Sequence, residues 1–237
     1  MKKLFILAAA ALLTLGIASC ERDTDPTDQT SQTTPTNPTS GQWVDLGLPS
    51  GLLWYSVNLG ATAPEQYGDY YAWGETHPKE TYKWSTYSYA TADADGNLQT
   101  LTKYNTSSTY GTVDNLTTLQ PSDAAATQVL GGGARIPTKA EWQELLDNTT
   151  AEWTTLNNVN GRKFTAPNGN GLFLPAAGYR YGSEFYGAGS YGHYWSASLN
   201  ESNPNSAWRM NFLSGYQRVG GLNRNDGRSV RAVRSQN

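Results

Sequence analysis

Apolar residues in this chain come in short fragments, each closed by a turn residue. Leu52-Leu53-Trp54, Tyr70-Tyr71-Ala72-Trp73 and Leu172-Phe173-Leu174 are bounded by Gly51, Gly74, Gly171 and Pro175. With 24 Gly and 11 Pro in 237 residues, many turns and little regular helix are implied. A core must then be assembled from short strands. Hydrophobic content is only 38%, so the 8 Trp and 15 Tyr carry much of the apolar burial.

Local patterns place the elements. Trp43 to Trp54 reads as a strand, a Pro49-Ser50-Gly51 turn and a second strand. Ser122 is placed to cap a helix over Asp123 to Leu130, stopped by Gly131-Gly132-Gly133. A second helix is better marked. Thr138 and Glu141 form a capping box, and Trp142, Leu145 and Leu146 make one apolar stripe. Glu152 to Leu156 and Arg162 to Ala166 read as strands around an Asn160-Gly161 turn. A second turn, Asn168 to Gly171, leads into Leu172-Phe173-Leu174-Pro175. Strands and two short helices together give an α+β domain.

The N-terminus reads as an address. Met1-Lys2-Lys3 precedes an apolar run from Leu4 to Ile17, too short to span a bilayer as a mature helix. Ile17-Ala18-Ser19-Cys20 resembles a bacterial lipobox. Residues 1–19 are then a lipoprotein signal peptide, and Cys20 takes the lipid. Several acyl chains on one residue give stable membrane anchoring, where a single chain is marginal. Glu21 to Asp25 is acidic and resembles the export signal of surface lipoproteins of Bacteroidota. Residues 20–42 form a lipidated tether, within which Thr24 to Gly41 is too polar to bury surface and has a reach of roughly 20–25 Å. The domain is expected over 43–237.

The last forty residues hold the candidate site. Tyr194–Ala197, Ala207–Phe212 and Ser229–Arg234 read as strands. Between them Arg209, Leu213, Tyr216, Arg218, Gly220, Gly221, Leu222, Asp226 and Arg228 share neither chemistry nor period. Unrelated side chains on a rigid frame describe a recognition surface, here 205–228, with Asn223 and Asn225 included. Tyr216 offers an amphipathic contact and the arginines offer forked donors. Leu213 and Leu222 are expected as exposed apolar contacts, and Gly220 and Gly221 as room for a partner.

Other chemistries have little support. A single Cys excludes an internal disulfide and a cysteine-rich zinc site, and two His leave little for a histidine metal centre. Asp93-Ala94-Asp95-Gly96-Asn97 starts like a calcium loop but lacks its Gly and Glu at the required spacing, and it reads as a turn. Gly187 to Gly192 fits G-x-G-x-x-G without the strand before and helix after that a nucleotide needs. His193 and Ser196 fall on opposite faces of a strand, and Glu141 is engaged in capping, so no catalytic residue is assigned. Asn203-Pro204-Asn205 only partly matches a calcium-dependent sugar motif. Six arginines follow Trp208, yet the chain carries a net charge of −3, and nucleic acid is not an expected partner. No cofactor and no metal are called for.

Six ordered blocks carry a resemblance. VDLGLPSGLLW, GATAPEQYGDYYAWGE, RIPTKAEWQELL, GLFLPAAGYRYG, GSYGHYWSAS and GRSVRAVR resemble the Fibrobacter succinogenes major paralogous domain, from about Trp43 to Arg234. The resemblance implies a C-type lectin-like fold: two short helices, a mixed, mostly antiparallel sheet and much irregular loop. The cysteine-dependent oxidation of the formylglycine-generating enzymes, which share that broad fold, is not implied, because Cys20 is committed to lipid. Many relatives resemble the variable proteins of diversity-generating retroelements, whose asparagine codons are rewritten at adenines. Tyr216, Arg218, Gly220, Gly221, Leu222, Asp226 and Arg228 stand where that pattern has Asn, as do Arg209 and Leu213 upstream. Asn223 and Asn225 retain it. The implied function is capture of a protein or glycan ligand at the outer-membrane surface. The competing classes are a structural or adhesive envelope protein and a glycan-acting enzyme.

Overall fold

The structure is a computed structural model and describes residues 41–236. The signal peptide, Cys20 and the tether up to residue 40 lie outside the described residues. In chain order come β1 (Trp43–Asp45), β2 (Leu52–Tyr55), β3 (Ala90–Ala92), β4 (Leu98–Leu101), α1 (Ala125–Leu130) and α2 (Lys139–Asn148). Then follow β5 (Thr150–Leu156), β6 (Val159–Thr165), β7 (Gly171–Pro175), β8 (Tyr179–Tyr181), β9 (Glu184–Tyr186), β10 (Gly192–Leu199), β11 (Ser206–Leu213), β12 (Tyr216–Asn223) and β13 (Val233–Ser235). The class is α+β. Three three-stranded sheets, β1-β2-β13, β5-β6-β7 and β10-β11-β12, are joined by two-stranded ribbons β3-β4 and β8-β9. Every named strand pair is antiparallel.

Helix α2 begins where its sequence signals it. Thr138 Oγ1 accepts from the Glu141 N–H at 3.2 Å, and Glu141 Oε2 accepts from the Thr138 N–H at 2.8 Å. Arg135 adds a two-pronged ion pair to the same carboxylate. Burial opposes ionisation of Glu141, but these hydrogen bonds win and its pKa is lowered. Trp142 and Leu145 are fully buried. Helix α1 departs from expectation. Ser122 does not cap it: its hydroxyl donates to Asp123 Oδ1, a 3-10 turn occupies Pro121–Asp123, and α1 starts at Ala125 without a side-chain cap.

The β5–β6 turn is also displaced from Asn160-Gly161. It sits on Asn157-Asn158, at φ 48° and 66°, the paired left-handed positions of a two-residue hairpin that asparagine tolerates. Gly161 is instead inside β6, where an added Cβ would lie 2.4 Å from Phe173 Cζ and 2.5 Å from the Leu174 carbonyl. Its role is close approach between strands.

Two core clusters meet at β10, because consecutive strand side chains point to opposite faces. Tyr194 joins Trp54, Trp142, Leu174, Met210 and Phe212 on one side. Trp195 joins Tyr71, Trp73, Tyr104, Val230 and Ala232 on the other. Three of the tryptophan N–H groups are satisfied by carbonyls, Trp142 by Trp195, Trp195 by Tyr71 and Trp73 by Ser196, while that of buried Trp54 has no partner among the described residues. Each such tryptophan contributes on the order of 4–6 kcal/mol of apolar burial before ordering entropy is counted.

The segment expected as a strand over Ser229–Arg234 is mostly not one. Only Val233–Ser235 pairs regularly, as β13 against β2. Upstream, successive residues bond different neighbours: Arg228 with Tyr71, Ser229 with His193 and Trp195, Val230 with Leu59, Ala232 with Tyr55. The chain crosses these elements instead of lying along one, so no ladder can extend. Among the described residues no helix is long and apolar enough to cross a membrane.

Candidate functional site

The run from Leu213 to Asn223 is a hairpin, not an irregular loop. β12 pairs with β11 along its whole length, from Leu213↔Tyr216 to Ser206↔Asn223. Residues directly opposite each other share a sheet face. Leu213 with Tyr216, Asn211 with Arg218, Arg209 with Gly220 and Ala207 with Leu222 therefore lie on one face. Phe212 with Gln217, Met210 with Val219 and Trp208 with Gly221 lie on the other. The second face is core: Met210 and Phe212 are buried and Val219 packs against them. Arg162, 4% exposed, fixes the hairpin bend by donating to the carbonyls of Leu213 (2.6 Å) and Ser214 (3.0 Å) and to the Gln217 side chain.

Five of the residues singled out from the sequence thus share the outward face: Leu213, Tyr216, Arg218, Gly220 and Leu222; Arg209 has the same register but is buried there with Ala207 and Asn211. Tyr216 is 42% exposed and Leu222 39%. Arg218 is exposed, with its guanidinium 5.7 Å from the Tyr216 ring centroid. Leu213 and Gly220 are half-buried, and Asn223 is exposed at the strand end. Gly221 does not belong to this face. A Cβ there would lie 2.8 Å from Asn200 Nδ2, so it makes room for a neighbour within the fold and not for a partner.

Four expected surface residues are buried. Arg209, Asn225, Asp226 and Arg228 are at most 6% exposed. Arg209 lies over Gly220, which faces it across the strands: its Nε donates to His193 Nδ1 at 3.0 Å and its Nη1 to the Gly220 carbonyl at 3.1 Å. Arg228 lies 4.8 Å from the Trp195 ring centroid and 5.4 Å from that of Tyr179, and its Nη2 donates to Asp226 Oδ2 at 2.7 Å. The physical reason is partnership: guanidinium groups reach the interior when aromatic faces, carbonyls and a carboxylate receive them. Arg224 and Arg231 follow the same rule. Arg224 donates to carbonyls of Tyr104 and Pro204 and to the Tyr87 hydroxyl, and Arg231 to Asn58, Tyr55 and Phe173.

This buried layer sets the electrostatics below the face. Burial lowers Arg209 to about 9 and Arg228 to about 10, so both stay charged at neutral pH. Burial raises Asp226 despite its arginine neighbours. His193 is pushed down to about 2, by burial first and then by Arg228 and Arg209. It is therefore neutral, and its Nδ1 is the acceptor that Arg209 requires.

The sequence reading missed an aromatic extension. The β8–β9 ribbon and the turn after it expose Tyr181, Phe185, Tyr186 and Tyr191. Tyr179 stacks on Tyr186 at 5.5 Å, and Tyr179 and Tyr191 contact His193 edge-on at 5.3 and 6.0 Å. His193 pairs with Asn211, which pairs in turn with Arg218, so these tyrosines border the β11–β12 face. The signal was the tyrosine and glycine density from Tyr179 to Tyr194. Gly187 to Gly192 is a turn leading into β10, with no helix after it.

Asp93 to Asn97 is a turn between β3 and β4. Asp93 Oδ1 accepts from the N–H groups of Asp95 and Asn97, and Oδ2 from the Asn97 side chain. No group of three or more His, Cys, Asp or Glu placed to hold a metal occurs among the described residues.

A family model described as a domain of unknown function, DUF8237, matches residues 145–233. That span runs from within α2 to β13 and contains the whole β11–β12 hairpin. No curated protein and no solved structure matches the chain.

Proposed function

We propose that this chain is a lipid-anchored binding protein of the outer-membrane surface, with a C-type lectin-like domain, that captures a protein or glycan ligand through the outward face of β11–β12. The observation that supports it is the segregation on β12. Tyr216, Arg218, Gly220 and Leu222 alternate with Gln217 and Val219, so one face can change its side chains while the other keeps the core. Tyrosine, arginine and leucine on a fixed frame form a contact surface that needs little ordering on binding. The burial of Arg209, Arg224, Arg228 and Arg231 removes the cationic patch that a nucleic-acid reading would need.

The test is replacement of Tyr216, Arg218 and Leu222 together by alanine. The protein would be anchored on cells through Cys20 and offered to arrays of extracellular proteins and glycans. Capture should fall about a hundredfold or more, as for loss of interface hot spots. The melting temperature should stay within a degree or two, because exposed substitutions change stability by about 0.5 kcal/mol or less. An equal loss of stability would show that the face is structural.

The reading includes diversification by a retroelement. Sequence reads from one bacterial population should then differ at the codons for 213, 216, 218, 220 and 222. Arg209, Asp226 and Arg228 should vary less than their positions in the run imply, because they are buried. A monomorphic segment with no near-identical template nearby would end this part of the proposal.

A further inference from the structure

We propose that the polar cavity beside the end of β12 is a subsite for a neutral pyranose, held directly by side chains. The cavity measures about 540 Å³ and lies between Trp84, the Asp93–Asn97 turn, Tyr181 and the pair Asn223 and Asn225. It uses none of the exposed residues of the β11–β12 face, but Asn223 ends the strand that carries them. It rests on the binding reading above by naming one ligand class, and its test can fail separately.

Three observations carry it. First, Asn225 is 2% exposed and lines the cavity, yet its Oδ1 makes no hydrogen bond to protein. A buried carbonyl without a donor costs about 1–3 kcal/mol, and a turn of this amide that brings its oxygen to a ligand hydroxyl would recover it. Second, the lining is rich in amides: Asn97, Asn223 and Asn225 each offer both donors and an acceptor. A hydroxyl also donates and accepts, whereas a phosphate only accepts and a metal ion only takes lone pairs. The charges present do not select an ion. Asp93 spends both oxygens on its own turn, and the lining carries Lys83 as well as Asp95. Third, two aromatic side chains flank the polar groups. Tyr181 is 55% exposed, and Trp84 is half-buried and braced edge-on by Tyr87 at 5.7 Å. An aromatic ring covers the apolar C–H face of a sugar while the amides engage its hydroxyl edge. The volume falls in the usual range for small-ligand sites, about 300–1,000 Å³.

The experiment is saturation-transfer difference NMR on the full chain in a non-glycosidic detergent. The probes are the methyl glycosides of glucose, galactose, mannose and N-acetylglucosamine. Saturation should pass to the ring protons of at least one probe. Trp84→Ala and Tyr181→Ala should each weaken that binding about tenfold, equivalent to about 1.4 kcal/mol. Should Trp84→Ala fold poorly, the more exposed Tyr181 still provides the test. The combined Tyr216, Arg218 and Leu222 alanine variant should bind the sugar unchanged. No transfer to any probe overturns the proposal, as does transfer that survives both aromatic replacements. Loss of transfer on adding a chelator overturns direct recognition by side chains. Sugar binding that persists when the β11–β12 face captures nothing leaves the subsite standing and removes only the wider reading. Capture that persists without sugar binding does the reverse.

Discussion

Arg231→Ala should lower stability by about 3–5 kcal/mol, the usual loss when one member of a buried charged network is removed. Arg231 is fully buried. Its Nε and Nη2 donate to Asn58 Oδ1 at 3.1 and 2.7 Å, its Nη1 to the Tyr55 carbonyl at 3.0 Å, and its Nη2 also to the Phe173 carbonyl at 3.1 Å. Asn58 in turn donates to the Tyr67 carbonyl and the Tyr194 hydroxyl, and that hydroxyl donates to the Pro175 carbonyl. One guanidinium therefore ties the end of β2, β7 and β10 together. Removing it leaves two backbone carbonyls and an amide oxygen buried without donors, each costing about 1–3 kcal/mol before relaxation. For a domain of this size the melting temperature should fall roughly 10 °C. Arg231→Lys should recover only part of this, because one ammonium cannot reproduce the fork. The comparison is Arg218→Ala on the exposed face, expected within about 0.5 kcal/mol of the parent. Equal melting temperatures for the Arg231 and Arg218 alanine variants would refute the argument.

The second large effect is a pH dependence centred on His193. Its folded pKa, about 2, lies far below the ordinary 6.5. As pH falls below 6.5 the unfolded chain takes up a proton at this residue and the folded chain does not. Stability is therefore complete above pH 6.5 and is lost progressively as pH falls toward 2. The slope attributable to one such group is about 1.4 kcal/mol per pH unit. Asp226 acts in the opposite sense. Its raised pKa lets the folded state bind a proton above the ordinary carboxylate value of 3.8, which offsets part of the slope at the acid end. Asp114, Asp123 and Glu141 have lowered values and withdraw their own contributions only below the normal carboxylate range. The clean window lies between pH 6.5 and about 5. Urea unfolding across it should show the slope in the parent chain and a nearly flat profile in His193→Gln. The same slope in both proteins would place its source elsewhere.

The elements legible in the sequence were those written in local terms. Thr138 with Glu141 marks the start of α2 because both partners of the capping box lie within four residues. Tyr194–Ala197 and Ala207–Phe212 were legible because their apolar side chains fill both faces of a buried strand. β12 was not legible. Only Val219 is apolar on its inward face, while tyrosine, arginine, glycine and leucine share the outward one, so no period of two appears. Burial was the other gap. Arg231 is fully interior, and its partners are backbone carbonyls and the Asn58 amide oxygen. The interior positions of Arg209, Asp226 and Arg228 depend on Trp195, Tyr179 and His193, which the chain brings beside them only on folding. Gly221 was misread for the same reason, since Asn200 is not its neighbour in sequence.

The pairing of β13 with β2 has a consequence for how this chain reaches its native state. The first sheet of the domain contains its first two strands and its last, with nearly the whole domain between them. While the chain is being synthesised, β1 and β2 have no third strand, and Tyr55 and Leu59 lack the carbonyl partners at Ala232 and Val230. Contacts this distant in sequence form slowly and cannot form before residues 230–235 are made. The first sheet should therefore close only once residues 228–235 have left the ribosome, so the domain stays open for most of its own synthesis.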